Sequence, residues 1–105
     1  MEEVRVYIIA NLQIHDADRY REYEKGFFPI LKKYEGEFIT FDDNIVHMEG
    51  DKPMEGRVIL LSFPSAKHAD VWYSSDDYQT LSEHRRASVT TTLTRVSGMH
   101  SAYSC

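Results

Sequence analysis

Tyr78, Leu81 and Arg85 stand at positions i, i+3 and i+7, a spacing that sets an arginine on the same helix face as two side chains that must seek the core. A guanidinium in that place is not a casual surface charge, because burying it unpaired costs several kcal/mol. Three outcomes are open to it: an internal ion pair with an acidic residue, a stem that snorkels out to water, or an anionic ligand. In the third, Arg85 holds an anionic or enolate-like oxygen while a tyrosine or histidine moves a proton. Tyr73 and Tyr78 bracket a break between two helical segments and carry hydroxyls toward Arg85 along the chain. Trp72 adjoins them, and His68 and His84 lie on the same helical region, placed to flank one cleft.

The other chemistry-bearing side chains have plainer readings. Five histidines, His15, His47, His68, His84 and His100, show no HxxxH, HxH or HExxH spacing, so no two share a helical face or strand in the way a metal needs. No histidine is singled out as a haem ligand either, and no metal or cofactor is expected. Seven tyrosines and one tryptophan read mainly as amphipathic rings filling a small core. Asp42-Asp43 and Asp76-Asp77 sit where turn and helix-cap chemistry explains them. No Ser-His-Asp order, nucleophile elbow, Walker loop or dinucleotide fingerprint occurs, so hydrolase, NTPase and dehydrogenase readings lack local support. The one cysteine, Cys105, is the last residue, which excludes an internal disulfide and a CxxC motif, and it is given no role.

These residues have to be positioned by secondary structure. From Val4 to Ile14 the even positions are all apolar, the period of two of a strand. Asp16 follows as a helix cap, and Tyr20, Tyr23, Phe27, Ile30, Leu31 and Tyr34 recur at helical steps as an amphipathic stripe. Pro29 lies inside that stripe, removes one donor and predicts a kink or break, hence a bent first helix. Glu37 to Phe41 and Ile45 to Glu49 flank the turn-forming Asp42-Asp43-Asn44 and predict a hairpin. Residues 50–56 read as a loop, and the nearly continuous apolar run from Val58 to Phe63 as a central strand covered on both faces. Ser65 caps a short helix through Ala66, Ala69, Trp72 and Tyr73; Ser75, with Asp76 and Asp77 behind it, caps a second. Val89 to Val96 is rich in β-branched residues and predicts a last strand, with the tail from Gly98 extending it or fraying.

The order strand, helix, strand, strand, helix, strand is the split βαβ arrangement, an α+β ferredoxin-like fold with an antiparallel sheet. Helices cover one face. Ile9 and the two-sided apolarity of Val58 to Phe63 say the other is not bare, and a partner sheet would cover it, pairing two chains into a homodimeric α/β barrel.

The whole chain of 105 residues, with 42% hydrophobic and 28% charged side chains, predicts one globular domain over residues 1–105 that would gain from association. A formal net charge of -5 works against nucleic acid, whose backbone needs clustered Lys and Arg. No apolar run spans a bilayer, and Glu2 and Glu3 stand where a secretory signal would be basic; a cytoplasmic protein without membrane partners is expected.

Several segments together are similar to the family catalogued as domain of unknown function 1330, a set of dimeric α/β barrel proteins. The matching stretches are Tyr7-Ile8-Ile9-Ala10-Asn11 with Asp16 and Tyr20, Glu49-Gly50-Asp51, Phe63-Pro64-Ser65, and Trp72-Tyr73-Ser74-Ser75 running to Tyr78 and Arg85. The last is the most specific. Glu35-Gly36 and Phe41-Asp42-Asp43 depart from the family's glycine-rich pattern around the hairpin. The resemblance implies a fold and a dimer but no established reaction, since the wider superfamily includes cofactor-free monooxygenases, lactone isomerases and haem proteins. Asn11, from the first matching stretch, joins Arg85, Tyr78, Tyr73, Trp72, His68 and His84 as candidate ligand-binding residues. The expectation is a protein that binds a small anionic or aromatic molecule between sheet and helices, as a cofactor-free enzyme or a small-molecule binder; the alternative is a non-catalytic, ligand-sequestering or structural dimeric module.

Overall fold

Alternation builds the first element. In the computed structural model, which describes residues 4–99, β1 (Val6–Ile14) buries Val6, Ile8, Ala10 and Leu12 on one face. The His15 and Asp16 amides both donate to the Ser88 carbonyl oxygen, tying the end of β1 to the last helix. α1 (Ala17–Lys33) starts where the Asp16 carboxylate accepts from the Arg19 amide at 3.1 Å, satisfying a donor that the helix end leaves free. Its buried residues, Tyr20, Tyr23, Phe27 and Leu31, form the stripe that the sequence predicts.

Pro29 does not break this helix. α1 runs on to Lys33, because Phe27 before the proline and Leu31 after it are both buried in the same core; packing on either side outweighs one lost hydrogen bond.

β2 (Glu37–Asp42) and β3 (Arg57–Phe63) are joined by an irregular stretch, residues 43–56. Here the expected hairpin is corrected: Ile45 to Glu49 form no strand, and β2 pairs antiparallel with β3 instead. The turn chemistry itself is present, since the Asn44 amide donates to the Asp42 carboxylate at 2.8 Å, but it opens a loop. β3 offers the better partner. Its Leu61 and Phe63 are buried, whereas Val46 and Met48 in the loop stay 83% and 93% exposed, so a strand there would bury nothing.

α2 (Ala66–Ser74) is capped by Ser65, and α3 (Asp76–Ser88) by Ser75, whose hydroxyl accepts from the Tyr78 amide at 3.1 Å. β4 (Val89–Ser97) follows directly. The four strands lie in the order β2-β3-β1-β4, with all neighbours antiparallel, the ferredoxin-like arrangement.

Register decides which side chains meet the helices. Ala10 pairs with Ile59 and Leu93, and Leu12 with Arg57 and Thr91, so Leu61, Ile59 and Arg57 share the helix-covered face with the even residues of β1. Tyr7, Ile9, Val58, Leu60 and Val96 point the other way, and no element among the described residues covers that face. No helix among the described residues is long and apolar enough to cross a membrane. His100 and Cys105 lie outside the described residues.

Gly56 closes the long loop with φ +84°, and a Cβ there would collide with the Leu12 carbonyl oxygen. Left-handed backbone and a backbone clash combine. Gly56→Ala is therefore expected to destabilise the fold by about 2 kcal/mol, lowering Tm by roughly 10 °C in calorimetry; an unchanged Tm would show that β1 and the loop do not meet as described.

Candidate functional site

The helix-covered face of the sheet is not closed completely. A cavity of about 190 Å³ lies between it and α1, α2 and α3. Its floor is Ala10, Leu12, Ile59, Leu61 and Leu93 from the sheet, and its walls are rings: Tyr20, Tyr23, Phe27 and Phe28 from α1, Phe38 and Phe41 from β2, Trp72 and Tyr78. Trp72, Tyr78 and Arg85 are buried while Phe28 and Phe41 are half exposed, so the former make the closed end and the latter the mouth.

Arg85 is 5% exposed. Its guanidinium stands 5.8 Å from the centre of the Tyr23 ring, within the range of a cation–π contact. Its Nε has no hydrogen-bond partner, and no ion pair to Arg85 forms among the described residues. The indole Nε1 of Trp72 is likewise buried without a partner. Two unsatisfied buried donors therefore belong to residues lining one cavity, where such groups are otherwise rare.

Beside them the Tyr23 and Tyr78 hydroxyls share a buried hydrogen bond of 2.7 Å. Burial pushes the Tyr23 phenol well above its usual range, and the neighbouring Tyr78 adds to this. Tyr20 is pushed up to about 12, chiefly by burial, although Arg57 opposes the shift. At neutral pH Tyr20 and Tyr23 are phenols that donate or accept hydrogen bonds, not bases.

The other arginine of the cavity, Arg57, is fully engaged. Its Nε and Nη2 donate to the two Asp43 carboxylate oxygens at 2.6 and 3.1 Å, and Nη1 to Glu24 at 3.3 Å. Its guanidinium also lies over Phe41, 4.9 Å from the ring centre. The fork-to-fork pair holds the Asp43 carboxyl below its ordinary value and raises that of Arg57, as bidentate geometry should.

Of the residues predicted from sequence, the structure brings Arg85, Tyr78 and Trp72 to this cavity and leaves four outside it. Tyr73 is half exposed and lines a shallow depression with Asp70 and Arg95. His68 bonds the Ser65 hydroxyl at 2.7 Å and Glu35 at 3.1 Å, in a depression near Lys33. His84 accepts from Arg19 Nε at 3.2 Å and lines a third depression with Asp76 and Leu81. The two histidines thus flank no common cleft. Asn11 points to the open face of the sheet and donates to the Glu55 and Arg57 carbonyl oxygens at 2.8 and 3.2 Å, which fastens the long loop. Among the described residues no group of three or more His, Cys, Asp or Glu gathers as a metal site would need.

Sequence reasoning passed over Arg57, Glu24, Phe38 and Phe41. Arg57 had a usable signal, since the period of two counted back from Phe63 through Leu61 and Ile59 lands on it. Phe38 and Phe41 had none: they differ in parity and share a face only because the register shifts between Phe38 and Thr40.

The model of the family described as domain of unknown function DUF1330 matches residues 5–99. The chain belongs to that family. No curated protein matches it significantly. In fold, this DUF1330 chain is similar to a protein of unknown function from Rhodopseudomonas palustris, with TM-score 0.77 and 14% identity over 94% of this chain and 85% of that one. It is also similar to a nipsnap family protein of unknown function from Agrobacterium tumefaciens, TM-score 0.61 and 13% identity over 93% and 91% of the two chains. A third is SnoaB, a cofactor-independent oxygenase from Streptomyces nogalater, TM-score 0.58 and 12% identity over 96% and 99%. At such identities the shared property is the ferredoxin-like fold.

The Tyr23–Tyr78 pair gives a direct check of this geometry. Tyr23→Phe and Tyr78→Phe should each cost about 1–2 kcal/mol by stranding the other hydroxyl. The double variant should cost little more than either alone, a coupling of about 1 kcal/mol in a double-mutant cycle by denaturant unfolding. Additive costs would place the two hydroxyls apart.

Proposed function

We propose that this DUF1330 chain binds a small molecule in the cavity between sheet and helices, with Arg85 gripping an anionic group. One observation carries the reading: a buried arginine without a carboxylate partner lines a cavity whose walls are mostly aromatic. Of the three outcomes open to Arg85, an internal ion pair and a snorkelled stem both fit its surroundings poorly. A bound anion would supply the missing acceptor and would be held by a planar fork in a place shielded from water.

Binding without turnover is the simpler form of this function. Tyr23 is held neutral, His68 and His84 lie elsewhere, and Glu24 at the mouth is occupied by Arg57. A catalytic form, in which the ligand's developing enolate oxygen rests on Arg85, is favoured only by the likeness to an oxygenase fold. The formal net charge of -5 supports a protein without a nucleic-acid partner.

The test is a thermal-shift screen of small carboxylates, phenolates and neutral aromatics, followed by analysis of any hit after incubation. A ligand at a hundredfold excess over its Kd stabilises by about 2.7 kcal/mol. Arg85→Lys keeps the charge but loses the fork, and is expected to abolish anion binding while leaving the fold's melting transition in place. Equal binding by that variant, or no hit at all, refutes the assignment; chemical conversion of the hit establishes the enzyme instead of the binder.

The uncovered sheet face supports a homodimer formed face to face, since Tyr7, Ile9, Val58, Leu60 and Val96 form an apolar strip there. Sedimentation at micromolar concentration should give about twice the 12.3 kDa chain mass. Ile9→Lys, on the inner strand β1 in the middle of that strip, should return the protein to a monomer.

A further inference from the structure

We infer that the ligand of this cavity is a monoanion carrying a single aromatic ring, its negative group against Arg85 and its ring toward Phe38 and Phe41. The inference rests on the cavity being a ligand site and goes on to name the class of molecule.

Size sets the first limit. A space of about 190 Å³ is close to the apolar cavities of about 150 Å³ that hold one benzene ring, and matches one ring with its acid group more closely than a fused pair. Wall chemistry sets the second. Between Arg85 at the closed end and Arg57 at the mouth the surfaces are rings and aliphatic side chains, which reward a flat apolar body and offer little to a sugar or a polyol.

Charge sets the third. Arg85 has no carboxylate among the described residues, whereas Arg57 already has two, Asp43 and Glu24. One negative charge on the ligand satisfies Arg85 and its unpartnered Nε. A second charge elsewhere on the ring would be turned toward the mouth, where Glu24 lines the cavity and like charges repel. A neutral ring would fill the space and leave the guanidinium as it was, forgoing a charge-assisted hydrogen bond.

Trp72 is the only tryptophan in the chain and lines the cavity, so its fluorescence reports occupancy without a label. The titration uses benzoate, its neutral isostere benzamide, the dianion isophthalate, the two-ring 1-naphthoate and acetate. Saturable quenching by benzoate is expected, with benzamide, isophthalate, 1-naphthoate and acetate each weaker by roughly tenfold or more, the size of one lost charge-assisted hydrogen bond or one lost ring contact. Arg85→Gln should erase the preference of benzoate over benzamide. If that variant does not fold, the same comparison on the unaltered protein still decides. Benzamide equal to benzoate overturns the charge requirement, isophthalate equal to it overturns the single charge, 1-naphthoate tighter overturns the single ring, and acetate equal to it removes the ring altogether. Each of those results leaves the cavity a ligand site. Failure of all five probes overturns the inference, and the broader thermal-shift screen then shows whether the binding reading falls with it.

Discussion

A layer of aromatic rings has to be buried between one sheet and three helices, and the rest of this structure follows from how imperfectly that layer closes. The Trp72 ring lies tilted against Tyr78, centroids 4.2 Å apart; Tyr78 meets Tyr23 edge-on at 6.2 Å, and Phe63 stands 5.1 Å from Trp72. These contacts fix α1, α2 and α3 against the sheet with large buried areas at little cost in side-chain entropy. Rings are flat and stiff. Packed at tilted and edge-on angles, they hold the helices off the floor of Ala10, Leu12 and Ile59 and leave a cavity that more flexible side chains would have filled.

The same layer explains why two arginines of one cavity differ so much. Arg57 sits at the start of a strand beside a loop, where Asp43 can swing in and Glu24 is one helix away, so its charge is met within the protein. Arg85 is carried by α3 into the middle of the rings, where the neighbouring polar groups are phenols and an indole. A tyrosine face offers it partial compensation. The remaining deficit is a stored preference for an anion, held in place by a core that cannot relax around it cheaply.

The long loop of residues 43–56 is held at its two ends, by Asp43 on Arg57 and by Asn11 on the Glu55 carbonyl oxygen. Both anchors sit beside the mouth of the cavity or on the strand that floors it. Between them Val46, Met48 and Met54 remain in water, so the loop adds little to stability and much to the shape of the entrance.

Much of this was legible in the chain itself. The period of two in β1, the stripe from Tyr20 to Leu31, and the caps Asp16, Ser65 and Ser75 are local effects that need only neighbours in sequence, and they determined the ferredoxin-like order of elements. The spacing of Tyr78, Leu81 and Arg85 likewise put an arginine indoors, because helical periodicity is a property of the segment alone. Pairing was another matter. Which strand β2 joins depends on a competition between Ile45–Glu49 and β3 for burial, and that competition is settled by the helices that cover β3. The bulge that brings Phe38 and Phe41 to one face, the carboxylates that claim Arg57, and the absence of one for Arg85 all depend on segments far apart in the chain. Sequence by itself set an arginine on the inward stripe of a helix; only the tertiary structure decided that it would be buried among rings and left without a partner, since partners are assigned by contacts across the fold.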